Sequence, residues 1–385
     1  MHSLLTEEQR AFWNRCQTYA RQELAPLAQT LGEVNVVPEA LRRSLAASGL
    51  YAPLFPEQYG GSGVSAVKIC LAREALACVY GPADTTYAMQ GLGSQPIILA
   101  GSEEQKKSYL PPLARGERLT TFALTEPGAG SDVSSLETWA QEVDGGFLLN
   151  GLKRFISNGY SADMAVVFAR SPTEANPMAL SGFVVEKGMK GFEVLRRLEP
   201  MASHDLVEFR FKDLRVPSTS LLGSLGQGFA LAMQTLELMR MSVGAAAVGM
   251  AQAALQEALA WAKSRVQFGR AISEFQGVSF QIADAATETE AARALVYLAA
   301  IKKERGAEDA SLFSSMAKLF ATEAAFRCID RALQVHGGMG VLKGSRVEQL
   351  YREIRPLRIY EGTSEIQRLV ISRKLTKKDK ALGAG

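Results

Sequence analysis

Five short segments of this chain combine residue types able to do chemistry. In Phe122-Ala123-Leu124-Thr125-Glu126-Pro127-Gly128-Ala129-Gly130-Ser131-Asp132, Pro127 fixes φ, and Gly128 and Gly130 let backbone N–H groups approach a ligand closely. Thr125 and Ser131 add hydroxyl donors there. In Asn150-Gly151-Leu152-Lys153-Arg154-Phe155-Ile156-Ser157-Asn158-Gly159, two Asn-Gly pairs bracket a short strand. Phe155 and Ser157, two residues apart on a strand, share a face and could wall a planar cofactor and bond its edge. In Arg265-Val266-Gln267-Phe268-Gly269-Arg270, followed by Phe275-Gln276, two guanidinium groups beside a glycine suit a diphosphate. Gln334-Val335-His336-Gly337-Gly338-Met339-Gly340 marks an abrupt helix end or a close backbone approach. In Ile359-Tyr360-Glu361-Gly362-Thr363-Ser364-Glu365-Ile366-Gln367, Ser364 and Gln367 read as a capping box whose helix N-terminus is a natural anion site, with Glu361 just before it. Each segment alone also has an ordinary reading: a strand connection, a plain strand, a solvated basic helix end, a capping or core histidine, a solvated acid.

Three blocks must position these segments. Residues 1–118 read as helical: Thr6 with Glu7, Glu8 and Gln9 forms a capped start. Ala- and Leu-rich periodic stretches follow, broken at Pro26, Pro38, 53–56 and 60–63. A further helix over 103–109 is expected to end at Pro111-Pro112. In 119–219 the period moves toward two: 207–212 alternates as a half-buried strand should, Asp144-Gly145-Gly146 reads as a hairpin turn, and 165–169 and 182–185 are short apolar runs. Residues 220–385 return to long Ala/Leu/Met/Glu helices with short connections, which favour an antiparallel bundle. The basic, glycine-ended tail 374–385 is expected to fray. Alternating βα units, a GxGxxG after a strand and a phosphate-binding GxxxxGK loop are absent, so a dinucleotide-binding parallel sheet is not expected.

Composition narrows the function classes. The chain has 385 residues, 43 Lys and Arg against 40 Asp and Glu, and a formal charge of +3, too even to argue for nucleic-acid or anionic-membrane binding. Four scattered cysteines (Cys16, Cys70, Cys78, Cys328) with no CxxC argue against a disulfide framework or a thiolate metal site and for a reduced, cytoplasmic setting. His2, His204 and His336 are too widely separated to suggest a metal site. The N-terminus lacks a basic segment followed by an apolar one, so no signal peptide is expected. The longest bland apolar stretch, 241–255, is too short to span a membrane and, rich in Ala and Gly, suits close helix packing.

In series, TEPGAGSD, NGxKxFIS, RxQFGR, QVHGGxG and YEGTSEIQ closely resemble the acyl-CoA dehydrogenase family, as do PEQYGGSG at 56–63 and VPSTSLLGSLGQGF at 216–229. The resemblance runs from about residue 6 to 375. It implies an α+β, mostly α fold: an N-terminal helical domain, a central β-barrel-like domain and a C-terminal four-helix bundle. It also implies FAD as cofactor, a homotetramer in which a neighbour completes each flavin site, and oxidation of an acyl thioester to the trans-2-enoyl thioester. By resemblance Glu361 is the base that takes the α-proton, a task made easier for a carboxylate in a desolvated pocket. The base's backbone N–H and a flavin ribityl hydroxyl would hold the thioester oxygen. The β-hydrogen would leave as hydride to the flavin.

The resemblance carries over residue by residue. Phe122, Leu124, Thr125 and Ser131 should line the flavin, with Ser131 also touching the thioester arm. Phe155 and Ser157 should flank its ring system. Arg265, Gln267, Phe268 and Gln276 should reach the adenylate half of a neighbour's FAD, and Gln334, Gly337, Gly338, Thr363 and Glu365 should contact it too. Glu237, Arg240 and Gly362 join Ser131 at the substrate. Some relatives carry the base immediately before the arginine of a motif like 236–240; here that position is Met239, which cannot act as one.

Two departures stand out. Phe155-Ile156-Ser157 replaces the family's usual Trp-Ile-Thr, keeping a ring and a hydroxyl. Segment 201–206 lacks the Arg usual near Ala202 and the Thr usual near Leu206; this bears on the substrate rather than on the reaction class. The leading expectation is therefore an acyl-CoA dehydrogenase passing electrons to an electron-transfer flavoprotein. Its rivals are the same reaction on a carrier-protein thioester, an acyl-CoA oxidase, and a non-catalytic assembly protein, the last opposed by Glu361 together with the flavin segments.

Overall fold

The computed structural model describes residues 5–377, so His2 and residues 378–385 of the expected fraying tail lie outside it. Helix α1 (Glu7–Tyr19) opens with the expected capping box: Thr6 Oγ1 accepts the Gln9 N–H, and the Gln9 side chain accepts the Thr6 N–H. A π-helical turn (Ala20–Leu24) leads directly into α2 (Ala25–Leu31). The chain therefore does not break at Pro26: the π turn just before it opens the hydrogen-bond ladder where Pro26 has no N–H to donate and its ring would crowd the preceding turn. Helices α3 (Glu39–Ala47), α4 (Ala66–Val79), α5 (Gly81–Ala100) and α6 (Glu103–Ala114) follow. The expected stop at Pro111-Pro112 also fails, since α6 runs through both. Their ring-fixed φ suits a helix, and only two N–H donors are lost in its last turns.

The central strands are β1 (Thr120–Ala123), β2 (Trp139–Val143), β3 (Gly146–Ser157), β4 (Met164–Arg170), β5 (Leu180–Glu186), β6 (Phe192–Arg197), β7 (Leu206–Pro217) and β8 (Leu221–Leu222). They form one sheet in the order β6-β7-β3-β2-β4-β5-β8, with β1 parallel to β4. The β2–β3 hairpin turns at Asp144-Gly145, with Gly145 at φ +75°, a left-handed position that favours glycine. β4 and β5 are buried along nearly their whole length, which is why they read as continuous apolar runs. Asn150-Gly151 is not a turn: it lies inside β3, where Asn150 bonds Asp213 across the sheet and a Cβ on residue 151 would run into Thr138.

Helix α7 (Gly228–Ser264) is followed by the short hairpin β9 (Val266–Gln267) and β10 (Arg270–Ala271), then α8 (Gln276–Glu304), α9 (Ala310–His336), α10 (Arg346–Leu357) and α11 (Ser364–Lys377). α7 extends well beyond the apolar stretch 241–255. By length and composition it could cross a membrane, but 89% of its most apolar 18-residue window is buried inside the protein, as in a core helix.

The chain divides into two compact units. Among the described residues, one comprises 5–26, 66–81 and 240–377; the other comprises 27–65 and 82–239. The core of the second lies on the sheet, around Phe147, Phe183, Phe209, Phe211 and Val216. In the first, α4, α8 and the part of α7 from residue 240 on are tied by a buried polar cluster. Arg293 Nε donates to Glu74 Oε1 at 2.9 Å, Tyr297 donates to Glu74 Oε2 at 2.7 Å, and Arg73 donates to Ser242 at 3.0 Å.

Candidate active site

In the sheet-bearing unit, the glycine loop is built around a buried ion pair. Lys153, fully buried on β3, donates from Nζ to Glu126 Oε1 at 2.6 Å and to the Leu124 carbonyl at 2.9 Å. The Glu126 carboxylate also accepts the backbone N–H of Glu137 at 2.5 Å and of Thr138 at 3.0 Å. Burial alone would raise Glu126, but the Lys153 ammonium and these donors hold it below the usual carboxylate range. Burial in turn brings Lys153 down to about 8 against the pull of Glu126. The Glu126 and Ala129 main chains bond each other both ways, closing the turn over Pro127-Gly128, and Arg154 N–H donates to the Thr125 carbonyl. The loop is thereby held rigid while the Cβ positions of Gly128 and Gly130 face open space. Ser131 is exposed, Thr125 is half-buried, Leu124 is buried, and the Phe122 ring packs on Phe168.

Phe155 and Ser157 do not follow the expected period of two. The β3–β7 register shifts between Lys153 and Ile156, and Phe155 takes φ +58°. This bulge turns Phe155 outward, 56% exposed, under the Arg154 guanidinium. Arg154 and Arg196 both bind the buried Glu208 of β7. Ser157 Oγ lies 2.7 Å from His204 Nε2. A rigid glycine loop, an outward ring and an adjacent hydroxyl suit one face and edge of a planar, polar-rimmed group, so these residues fit a flavin.

In the other unit, Glu361 and Gly362 stand at φ +53° and +91°, both left-handed. For glutamate that conformation costs about 1–2 kcal/mol, so the surroundings must enforce it. They do: Lys318 Nζ donates to the Gly362 carbonyl at 2.7 Å, and Gln367 Nε2 donates to the Glu361 and Gly362 carbonyls at 3.2 and 3.0 Å. Lys318 is fully buried on α9. Burial lowers it to about 8, the charge of Glu361 pulls it up, and that of Arg240 pushes it down. Glu361 Oε2 is shielded from solvent. Because Gln367 points back at this loop, it does not form the expected capping box with Ser364. Thr363 caps α11, accepting the Ile366 N–H at 3.2 Å, while Ser364 donates to Glu323 at 2.6 Å.

The remaining expected residues spread over surfaces. Arg265, Gln267, Phe268, Gln276, Gln334, Gly337, Gly338 and Glu365 are exposed; Phe268 is 95% exposed at the tip of the β9–β10 hairpin. His336 closes α9, its Nδ1 2.7 Å from the Ala332 carbonyl and its ring stacked on Trp261. Glu237 and Arg240 are half-buried, one turn apart on α7, and Met239 is buried. Sequence reasoning assigned no role to Lys153, Lys318 or His204, and gave Gln367 only the capping box with Ser364. A lone lysine between the buried Ala317 and Ala321 of an apolar helix was the available signal for Lys318.

Three family models match this chain: the acyl-CoA dehydrogenase N-terminal domain over residues 6–117, the middle domain over 121–214 and the C-terminal domain over 226–376. An acyl-CoA dehydrogenase of Bacillus subtilis is 41% identical over 374 residues, covering 96% of this chain and 98% of that protein. A caffeyl-CoA reductase–Etf complex subunit of Acetobacterium woodii is 36% identical, covering 97% and 99%. Among solved structures, butyryl-CoA dehydrogenase from Megasphaera elsdenii superposes with a TM-score of 0.91 at 36% identity, covering 97% and 99%.

Proposed function

The chain belongs to the acyl-CoA dehydrogenase family, and from that premise we infer that Glu361 is the base of an FAD-dependent dehydrogenation of an acyl-CoA. The reaction removes hydrogen across Cα–Cβ and leaves the trans-2-enoyl thioester. The observation that carries the assignment of the base is the loop around it: a shielded carboxylate on a left-handed residue pair, held from behind by Lys318 and Gln367. Such a loop fixes the carboxylate's approach to the α-proton, which is where much of a base's effect arises. FAD would supply the acceptor for the β-hydrogen, taken as hydride. Phe155, Ser157 and the Thr125–Ser131 loop would hold its ring system, and Ser131 would reach the thioester arm. Arg240, Glu237 and Gly362 border the substrate.

The exposed set Arg265, Gln267, Phe268, Gln276, Gln334, Gly337 and Gly338, with Thr363 and Glu365, serves the adenylate half of FAD in a homotetramer. The near-complete exposure of Phe268 leaves its ring open to a neighbour in such an assembly. The electron acceptor is an electron-transfer flavoprotein, a reading supported by the Etf complex named for the Acetobacterium relative. Four free cysteines support a cytoplasmic setting. The sequence divides into functional domains at 1–118, 119–219 and 220–385.

The test is anaerobic titration of the FAD-loaded protein with a panel of acyl-CoAs, following the flavin absorption. Bleaching by one acyl class is expected, and its rate should fall about 10²–10⁴-fold in Glu361→Gln. Equal bleaching by the variant removes Glu361 from the base role. No bleaching by any acyl-CoA, with FAD retained, favours a carrier-protein thioester.

A further inference from the structure

Segment 201–206 departs from the family pattern, and the structure shows what one of its residues touches. His204 Nε2 is 2.7 Å from Ser157 Oγ. The contact is built from several sides. The His204 backbone N–H donates to Asn35 Oδ1 at 3.1 Å. Asp205, buried next to it, accepts the Asn158 N–H on its carbonyl at 2.7 Å, and its carboxylate accepts the N–H groups of Tyr160 at 3.2 Å and Ser161 at 3.0 Å. The Ser157 carbonyl is held by Thr121 Oγ1 at 2.5 Å. Both partners are therefore fixed through their main chains, and the imidazole is aimed at the hydroxyl.

A serine hydroxyl has one proton and can turn to suit its partners. A neutral imidazole at hydrogen-bond distance removes that freedom. With the ring proton on Nε2, the ring donates to Oγ and the serine proton points elsewhere. With it on Nδ1, Nε2 accepts the serine proton and the oxygen lone pairs point elsewhere. We propose that His204 is a positioning residue that sets the hydrogen-bonding direction of Ser157 toward the flavin, so that this residue of segment 201–206 serves the cofactor. The inference rests on the flavin reading of Ser157. Desolvation brings the His204 ring down to about 4, so at neutral pH it presents a neutral partner and adds no cation beside the site.

The test compares FAD binding by the wild type, His204→Ala, His204→Gln, Ser157→Ala and the double variant His204→Ala/Ser157→Ala. The readouts are the dissociation constant for FAD, the absorption bands of the bound flavin and its two-electron midpoint potential. His204→Ala should weaken FAD binding about five- to tenfold, the loss of one oriented hydrogen bond, and shift the bands and the potential. His204→Gln, with an amide near the Nε2 position, should restore most of both. In the Ser157→Ala background, His204→Ala should change nothing further. Unchanged binding and spectra in His204→Ala overturn the proposal, as does an equal change with and without the Ser157 hydroxyl, which makes His204 a packing residue only. A wild-type protein that takes up no FAD overturns the flavin reading itself, a different result from either.

Discussion

Lys153 and Lys318 are both fully buried, both brought down to about 8 by burial, and both hold a glycine-containing loop of the proposed site. They differ in what they face. Lys153 contacts a carboxylate directly, and that carboxylate is saturated by two backbone N–H groups, so the pair is a closed strut under the Thr125–Ser131 loop. Lys318 donates to a neutral carbonyl, while its charge is felt by Glu361, the proposed base. One buried ammonium is neutralised permanently. The other lies beside a carboxylate that must gain and lose a proton in turnover. If Glu361 is the base, the same residue type at the same burial serves stability in one unit and chemistry in the other.

Removing each lysine should separate these roles. The largest stability effect is expected from Lys153→Met, which leaves Glu126 buried without its cation: about 3–5 kcal/mol in denaturant unfolding. Most of it should return in Lys153→Met/Glu126→Leu, because an apolar pair of similar volume carries no desolvation cost. A loss below about 1 kcal/mol in the single variant would sink the strut.

Lys318→Met should do the reverse. It removes one of the two donors to the Gly362 carbonyl, which keeps Gln367 Nε2, so the stability loss should be only about 0.5–1.5 kcal/mol, but it frees the Glu361-Gly362 pair to relax. We expect kcat for acyl-CoA oxidation to fall about 10- to 100-fold with KM changed much less. An unaltered kcat would make Lys318 a second strut and erase the comparison.

A further effect lies in pH. Between about 8 and 10.5 the unfolded chain still holds the Lys318 proton that the folded chain has released. In that window the unfolded state binds more protons, so this site adds stability as pH rises. Denaturant midpoints of the wild type and Lys318→Met, compared at pH 7.5 and 10, should show the wild type gaining on the variant. A gain in the opposite direction would mean that Lys318 keeps its proton more tightly folded than unfolded.

Local signals were read well where the structure obeys local rules. The Thr6–Gln9 capping box and the Asp144-Gly145 turn depend on three or four neighbouring residues, and both form as expected. Failures came where a rule for one residue type was overridden by the helix, strand or loop around it. The chain continues as helix at Pro26 through a π turn and at Pro111-Pro112 within α6. The alternation expected of Phe155 and Ser157 is broken by a bulge, and the expected capping box at Ser364 yields because Gln367 has partners on the loop before it.

What the sequence determined by itself is the family, the reaction class and the identity of the proposed base, because five ordered motifs carry that information in short runs of residues. What only the tertiary structure decided is how those motifs are held. Lys153 meets Glu126, Lys318 meets Gly362 and His204 meets Ser157 across 27, 44 and 47 residues of chain. No periodicity or spacing encodes such contacts. They exist because a buried polar group must find a partner, and which partner is near depends on how the whole chain packs.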